Sequence, residues 1–450
     1  MSRYDLLIRG GTLLLPDQRK EAKLNVAAAD GKISGLFADE PDAERVIDAG
    51  GLYVSPGFID SHMHDDDPSD DGKTVETALL RQGVTTAIAG NCGTGPLASD
   101  IAPVRQHPWL NLGYLTGHQA LREAVGVTDA YAAADEKGLG EMRRLLRAEL
   151  ENGSFGLSFG LEYMPNTPVG EVTALLDVAK DFQNIWIPVH IRRDGPDAVA
   201  AVDEVLGYAE EYSLRFQISH TGSMTGFGML AEVLEHIEAA KSRGADVTFD
   251  CYPYDAFCTS LGSAVFDPGF EARWGKGVES LEVGSGPYRG KWLNEDNLYE
   301  RLRKDNGDTL IIAHVIHADE VELCLCHPDC IIASDSILKD GHGHPRAAGT
   351  FPRALRMLRE KGFTWPEAVR KCTTLPAEAN WLEGKGVIKP GADADFVIFD
   401  GEKLRDNATF TDQLLPPDGI EYVIIAGEPA VCRNEILGGP KGKLIKRMKQ

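Results

Sequence analysis

The chain has 450 residues, 43% hydrophobic and 26% charged, with 46 Lys and Arg against 69 Asp and Glu, a net charge of -23 at pH 7. This is ordinary globular composition with enough apolar material for a large core, and its acidity excludes a nucleic-acid partner, which needs a basic stripe; only the tail LIKRMKQ is locally basic. No apolar run reaches the roughly 18 residues of a membrane helix, and the N-terminal stretch MSRYDLLIRGGTLLLPD lacks the apolar core of a signal peptide, so a cytoplasmic protein with no membrane partner is expected.

The first fifty residues alternate as strands do: YDLLIRGGTLLL, KLNVAAADGKISGLF and RVIDAGGLYVSPG, with Gly10-Gly11 and Asp30-Gly31 expected to form hairpin turns. GVIKPGADADFVIFD and IEYVIIAGEPAVCR repeat this style at the other end. Residues 1–56 and 387–450 are therefore expected to build one small β-sandwich domain. Between them, apolar runs alternate with helical stretches: VTTAIAG, IWIPVHI, RFQISH, DVTFDCYPY and CIIASDS each follow a helical segment. That rhythm predicts an α/β fold, a parallel sheet with helical crossovers. About eight or nine such strands suit a TIM-like (β/α)8 barrel over residues 57–386. No GxGxxG follows the first strand, which argues against a dinucleotide fold. Residues 259–308 break the rhythm, are rich in Gly and aromatics, and are expected to form a lid over the barrel mouth.

Chemistry-bearing residues fall at the ends of these runs. PGFIDSHMHDDD presents His62 and His64 two residues apart, on one side of a strand. VTTAIAGNCGTGP ends in Cys92 between glycines, a thiolate ligand or a buried structural cysteine. His190 closes IWIPVH and His220 closes RFQISH; imidazole is a preferred zinc ligand. Asp335 ends CIIASD, where a carboxylate can bind metal, take a proton from water, or cap a helix. His342, His344, Arg346 and Arg353 crowd the following Gly-rich loop, and a guanidinium there suits a substrate carboxylate. HVIHADEVELCLCHPDC has the residue types of a zinc finger, but its spacing fits no standard module. The eight cysteines do not read as a disulfide framework in so long a chain.

Taken together, PGFIDSHMHDD, TTAIAGNCG, GLSFGLEYMP, HIRRDG, DCYPY, SDSILKDGHGHPRAAGTFPR and GADADFVIFD resemble the D-aminoacylases (N-acyl-D-amino-acid deacylases) of the amidohydrolase superfamily, over nearly the whole chain. The resemblance implies a metal-dependent hydrolase barrel with one zinc held tightly by Cys92, His190 and His220. It implies a weaker second position at His62 and His64, with Cys92 between. It makes Asp335 the general base and then acid, with Tyr163 and Arg346 holding substrate; Tyr252 and His344 are further candidates for substrate contact. The implied substrate is a small N-acyl amino acid, of the D series, cleaved to a carboxylate and a free amino acid. Homo-oligomerisation is left open. The carboxylated lysine of cyclic-amide hydrolases has no counterpart in GLSFGLEYMP, which ranks a hydantoinase or dihydroorotase activity lower. A non-catalytic metal-binding homologue would be expected to lack a ligand or the base. One departure bears on substrate: where the family has the basic segment SHHK, this chain has SHTGSM.

Overall fold

The structure, a computed structural model, describes residues 4–64, 73–95, 97–101 and 106–448; Asp65, Asp66 and Asp67 of the first motif lie outside them. Runs such as VTTAIA (Val84–Ala89) and WIPVH (Trp186–His190) are buried at every position, as strands covered on both faces must be. They pair in parallel in two sheets. One runs Asn111–Tyr114, Val84–Ala89, Phe58–Asp60; the other runs from Thr116–Gly117 through Leu157–Gly160, Trp186–His190, Arg215–Ile218 and Val247–Cys251 to Cys330–Ile332. The sheets join twice. Tyr114 and Thr116 are nearly consecutive, and a parallel bridge between Met63 and Ser336 ties the first strand to the last. Backbone bonds from Asp335 N to His62 O (2.7 Å) and from His64 N to Ser336 O (2.9 Å) complete a closed barrel. Helices such as Glu136–Asn152 and Ala198–Tyr212 cover its outside.

Strands from both chain ends share the second architecture. A seven-stranded sheet contains Thr12–Leu15, Lys20–Ala22 and Tyr53–Pro56 beside Phe396–Phe399, Ile420–Ile425 and Glu428–Cys432; a four-stranded sheet contains Tyr4–Arg9, Asn25–Ala29, Lys32–Phe37 and Ala43–Asp48. Leu6, Ile8, Leu13, Val26, Val54, Phe396 and Ile398 fill the core between them. Asp30-Gly31 does close a hairpin, with both residues at positive φ (52° and 72°). Gly10-Gly11 does not. The strands it connects belong to different sheets, so it is a corner, and a Cβ on Gly11 would stand 2.7 Å from Val54 Cγ2. The last described residues leave this sheet. Leu444 bridges to Leu112 of the barrel, and Arg447 donates to the carbonyls of Leu150, Ser154 and Gln183.

Residues 259–308 fold rather than loop. Phe257–Ser260 and Leu281–Val283 pair antiparallel on either side of Leu310–Ala313. Phe266, Phe270 and Trp274 bury their rings against one another beside Phe257. Among the described residues no helix is long and apolar enough to cross a membrane.

Candidate active site

The carboxyl ends of the barrel strands collect the residues that the sequence singles out. Three of them, Cys92, His220 and Asp335, have left-handed backbone (φ 53°, 34° and 49°). Each such residue costs on the order of 1–3 kcal/mol and persists only where its surroundings enforce it. At a strand tip that conformation swings the side chain out of the sheet's alternation and into the barrel mouth. The Cys92 turn packs against the strand Leu157–Gly160 so closely that a Cβ on Gly160 would lie 2.0 Å from Cys92 O. Gly160 in turn stands opposite His190. The glycines of NCG and GLSFG thus set the spacing between the thiol and its neighbouring imidazole.

Two buried donor groups result, Cys92 with His190 and His220, and His62 with His64, Cys92 and Asp335; within each, the ligand atoms lie inside 4.8 Å of one another. Cys92 Sγ is 3.4 Å from His220 Nε2 and 3.3 Å from His62 Nε2. Those separations match the edge of a tetrahedron whose bonds are about 2.3 Å to sulfur and about 2.0–2.1 Å to nitrogen. His190 supplies the sharper test. Its Nε2 is 3.0 Å from Glu162 Oε2, which fixes the proton there, while Nδ1 is buried without a hydrogen-bond partner. A buried lone pair with nothing to bind is what a metal ligand leaves behind. His62 is oriented likewise, its Nδ1 3.0 Å from Asp250 Oδ2, and Asp250 also accepts from Gln217 Nε2 (2.6 Å) and from the backbone N–H of His220. These donors fit a zinc ion.

Charge is arranged to match. Burial works to raise the Cys92 thiol, but His62 and His220 outweigh it and hold the group well below its usual range, as a thiolate. Burial likewise works against an ionised Asp335, yet the Arg346 guanidinium, His62 and His64 keep its carboxyl far below the ordinary carboxylate range. Asp335 Oδ1 is 3.0 Å from His64 Nε2 and 3.4 Å from His62 Nε2, and Oδ2 is 2.9 Å from Arg346 Nη1.

A pocket opens beside these groups, lined by Glu162, Tyr163, Asp194, His190, His220, Ser223, Met224, Tyr252, Phe257, Cys258, Thr259, Val265 and Asp335. Tyr163 accepts a bond from Thr259 Oγ1 (3.1 Å), and its ring centre is 4.5 Å from that of His190. The Tyr252 hydroxyl is buried without a partner. Arg346 lies over the Tyr252 ring (4.7 Å); its Nε and Nη1 make no hydrogen bond, although Nη1 is close enough to Asp335 for ion pairing. His344 sits behind Arg346, accepting the Arg346 backbone N–H on Nδ1 (3.0 Å), and is not part of the pocket wall. The zinc-finger-like stretch stays apart: His314 pairs with Glu282, and Cys324 and Cys330 are buried thiols 4.0 Å from each other.

Three residues were not singled out from sequence. Asp250 and Glu162 orient the imidazoles from within motifs, DCYPY and GLEYMP, whose other residues draw attention first. Arg273, from the inserted segment, pairs with both Glu162 and Asp194. Trp274 Nε1 donates to Asp194 as well (2.6 Å). Burial, then the neighbouring Glu162 charge, lifts the Asp194 carboxyl to about 7.

A closed parallel barrel that gathers thiolate, imidazole and carboxylate at the carboxyl ends of its strands is the design of a metal-dependent hydrolase. The chain belongs to the amidohydrolase family, whose model matches residues 45–184 and 198–431. It is 32% identical to an N-acyl-D-glutamate deacylase of Alcaligenes xylosoxydans xylosoxydans, over 94% of this chain and 93% of the relative. It is 30% identical to a D-aminoacylase of the same organism, over 99% and 98%. The N-acyl-D-glutamate deacylase of Bordetella bronchiseptica, solved with zinc and a phosphonate mimic of the tetrahedral intermediate, superposes with a TM-score of 0.87 at 28% identity, covering 98% of this chain and 99% of its own.

Proposed function

We propose that this enzyme hydrolyses the linear amide of an N-acyl-D-amino acid, with zinc held chiefly by Cys92, His190 and His220 and a second position available at His62, His64 and Asp335. The observation that carries the reading is the convergence of a thiolate, two imidazoles and an ionised carboxylate on one pocket. Zinc in that place supplies a Lewis acid for the amide carbonyl and lowers the pKa of water towards about 7. Asp335, kept ionised by Arg346 and the histidines, accepts the proton of the attacking water. It then delivers that proton to the amide nitrogen as the C–N bond breaks, which leaves a carboxylate and a free amino acid. Tyr163, its phenol pushed well above the usual range first by burial and then by the Cys92 charge, stays protonated and donates to the developing oxyanion. Arg346, whose Nη1 pairs with Asp335 and whose Nε makes no hydrogen bond, takes the α-carboxylate. Tyr252, packed on that guanidinium, flanks the bound substrate. His344, one layer behind, holds the Arg346 backbone.

The test is amine release by the zinc-loaded enzyme from N-acetyl-D- and N-acetyl-L-amino acids. Turnover confined to the D series is expected. Asp335→Asn should lower kcat by about 10²–10⁴-fold while bound zinc, measured by elemental analysis, stays at one or more per chain. Near-normal turnover in that variant would remove Asp335 from its role.

A further inference from the structure

The pocket lining is rich in carboxylates. Glu162, Asp194 and Asp335 all belong to it, and no Lys or Arg is among the described lining residues. One guanidinium, Arg273, stands behind two of these carboxylates and is consumed by them. Its Nη1 pairs with both Glu162 and Asp194, and its Nη2 donates to Val265 O. Asp194, 2% exposed, has its second oxygen on Trp274 Nε1, and Glu162 has its second on His190 Nε2, so each acid is fully engaged by its own partners. Met224, Phe257 and Val265 add uncharged lining, with Ser223 turned to His220 Nδ1 (3.2 Å), and Cys258 O accepts from Arg346 Nη2 (3.2 Å).

We infer that the substrate side chain accepted here carries no negative charge, and that N-acyl derivatives of acidic amino acids are rejected. The inference deepens the deacylase reading and rests on it. An amino-acid substrate already brings one carboxylate, which occupies Arg346. A second, on the side chain, would be stripped of water beside Glu162 and Asp194, whose shared guanidinium is already engaged, and a buried charge left without a partner is costly. Neutral side chains meet Met224, Phe257 and Val265 instead. This sets the chain apart from the N-acyl-D-glutamate deacylases it resembles.

The experiment is a kcat/KM panel on the zinc-loaded full chain with N-acetyl-D-leucine, -methionine, -phenylalanine, -lysine, -glutamate and -aspartate. The acidic pair is expected at least 100-fold below the best of the others. Met224→Lys, which sets an ammonium in the pocket lining without replacing a metal donor, is expected to raise the glutamate-to-leucine ratio at least tenfold. Glutamate or aspartate within 100-fold of the best substrate in the unaltered enzyme overturns the inference while leaving the deacylase reading intact. Hydrolysis of no member of the panel overturns that reading and this inference together.

Discussion

Glu162 shows how a residue that is no metal donor itself can set the proposed metal site. It accepts from His190 Nε2 and so leaves Nδ1 as the ligating nitrogen; burial opposes its charge, but His190 and Arg273 hold the carboxyl below its ordinary range. Glu162→Gln keeps the shape and removes the charge. It is expected to weaken zinc binding about 10–100-fold, read by competition with a coloured chelator, with an unchanged far-UV spectrum. Wild-type affinity would reduce Glu162 to a packing role. Cys92, His190, His220 and Asp335 were legible in sequence because each ends an apolar run, and parallel strands deliver such ends to one mouth. Glu162 and Asp250 were not, because a carboxylate that orients an imidazole needs no fixed spacing from it: Asp250 and His62 are 188 positions apart. Arg273 was hidden for the same reason, in a segment without periodicity.

At the scale of elements, the helices His118–Ala124 and Val169–Ala179 are joined by one buried cluster near their first turns. Glu171 Oε1 accepts from His118 Nε2 (2.8 Å) and Arg122 Nη1 (2.6 Å), and Oε2 from Ala134 N (3.0 Å). Burial would raise the Glu171 carboxyl, but His118 and the Ala134 amide lead a set of contacts that brings it down to about 2. A carboxyl depressed on folding stabilises the native state above its unfolded pKa and loses that contribution as pH falls towards the folded value. Glu171→Gln leaves Arg122 buried beside a neutral amide, so a loss of about 3–5 kcal/mol is expected at pH 7. The gap to the unaltered protein should narrow between pH 4.5 and pH 3, as urea midpoints at both pH values would show; equal gaps would separate Glu171 from the acid limb. The barrel elements were legible because their strands are buried along nearly their whole length. The inserted segment was legible only as a break in rhythm. Its strands Phe257–Ser260, Leu281–Val283 and Leu310–Ala313 are three or four residues long, too short for a period of two to register.

The molecule as a whole depends on how the terminal strands are fastened to the barrel, and the closing motif GADADFVIFD does the fastening. Asp395 Oδ2 accepts from Lys385 Nζ (2.6 Å) and from Asn111 Nδ2 of a barrel strand (3.1 Å), Oδ1 accepts from Ala426 N (2.8 Å), and its carbonyl accepts from Gly57 N at the entry to the first barrel strand (2.8 Å). Burial would discharge Lys385, but Asp395 and Asp393 keep it protonated. In sequence the motif reads as an edge of the β domain, since Asn111 is 284 positions away. Asp395→Ala removes the nearer of two carboxylates from the buried Lys385 and one of the two acceptors of the Asn111 amide, and a loss of about 3–5 kcal/mol in unfolding free energy is expected. Asp393→Ala is the informative control. Asp393 also pairs with Lys385 (2.8 Å) but shares the more exposed Lys32, and its loss leaves the Asp395 pairing in place. A smaller loss is therefore expected, with the two variants compared by urea unfolding of the zinc-loaded protein. Equal losses would mean that the junction is held by total charge rather than by the Lys385–Asp395–Asn111 geometry.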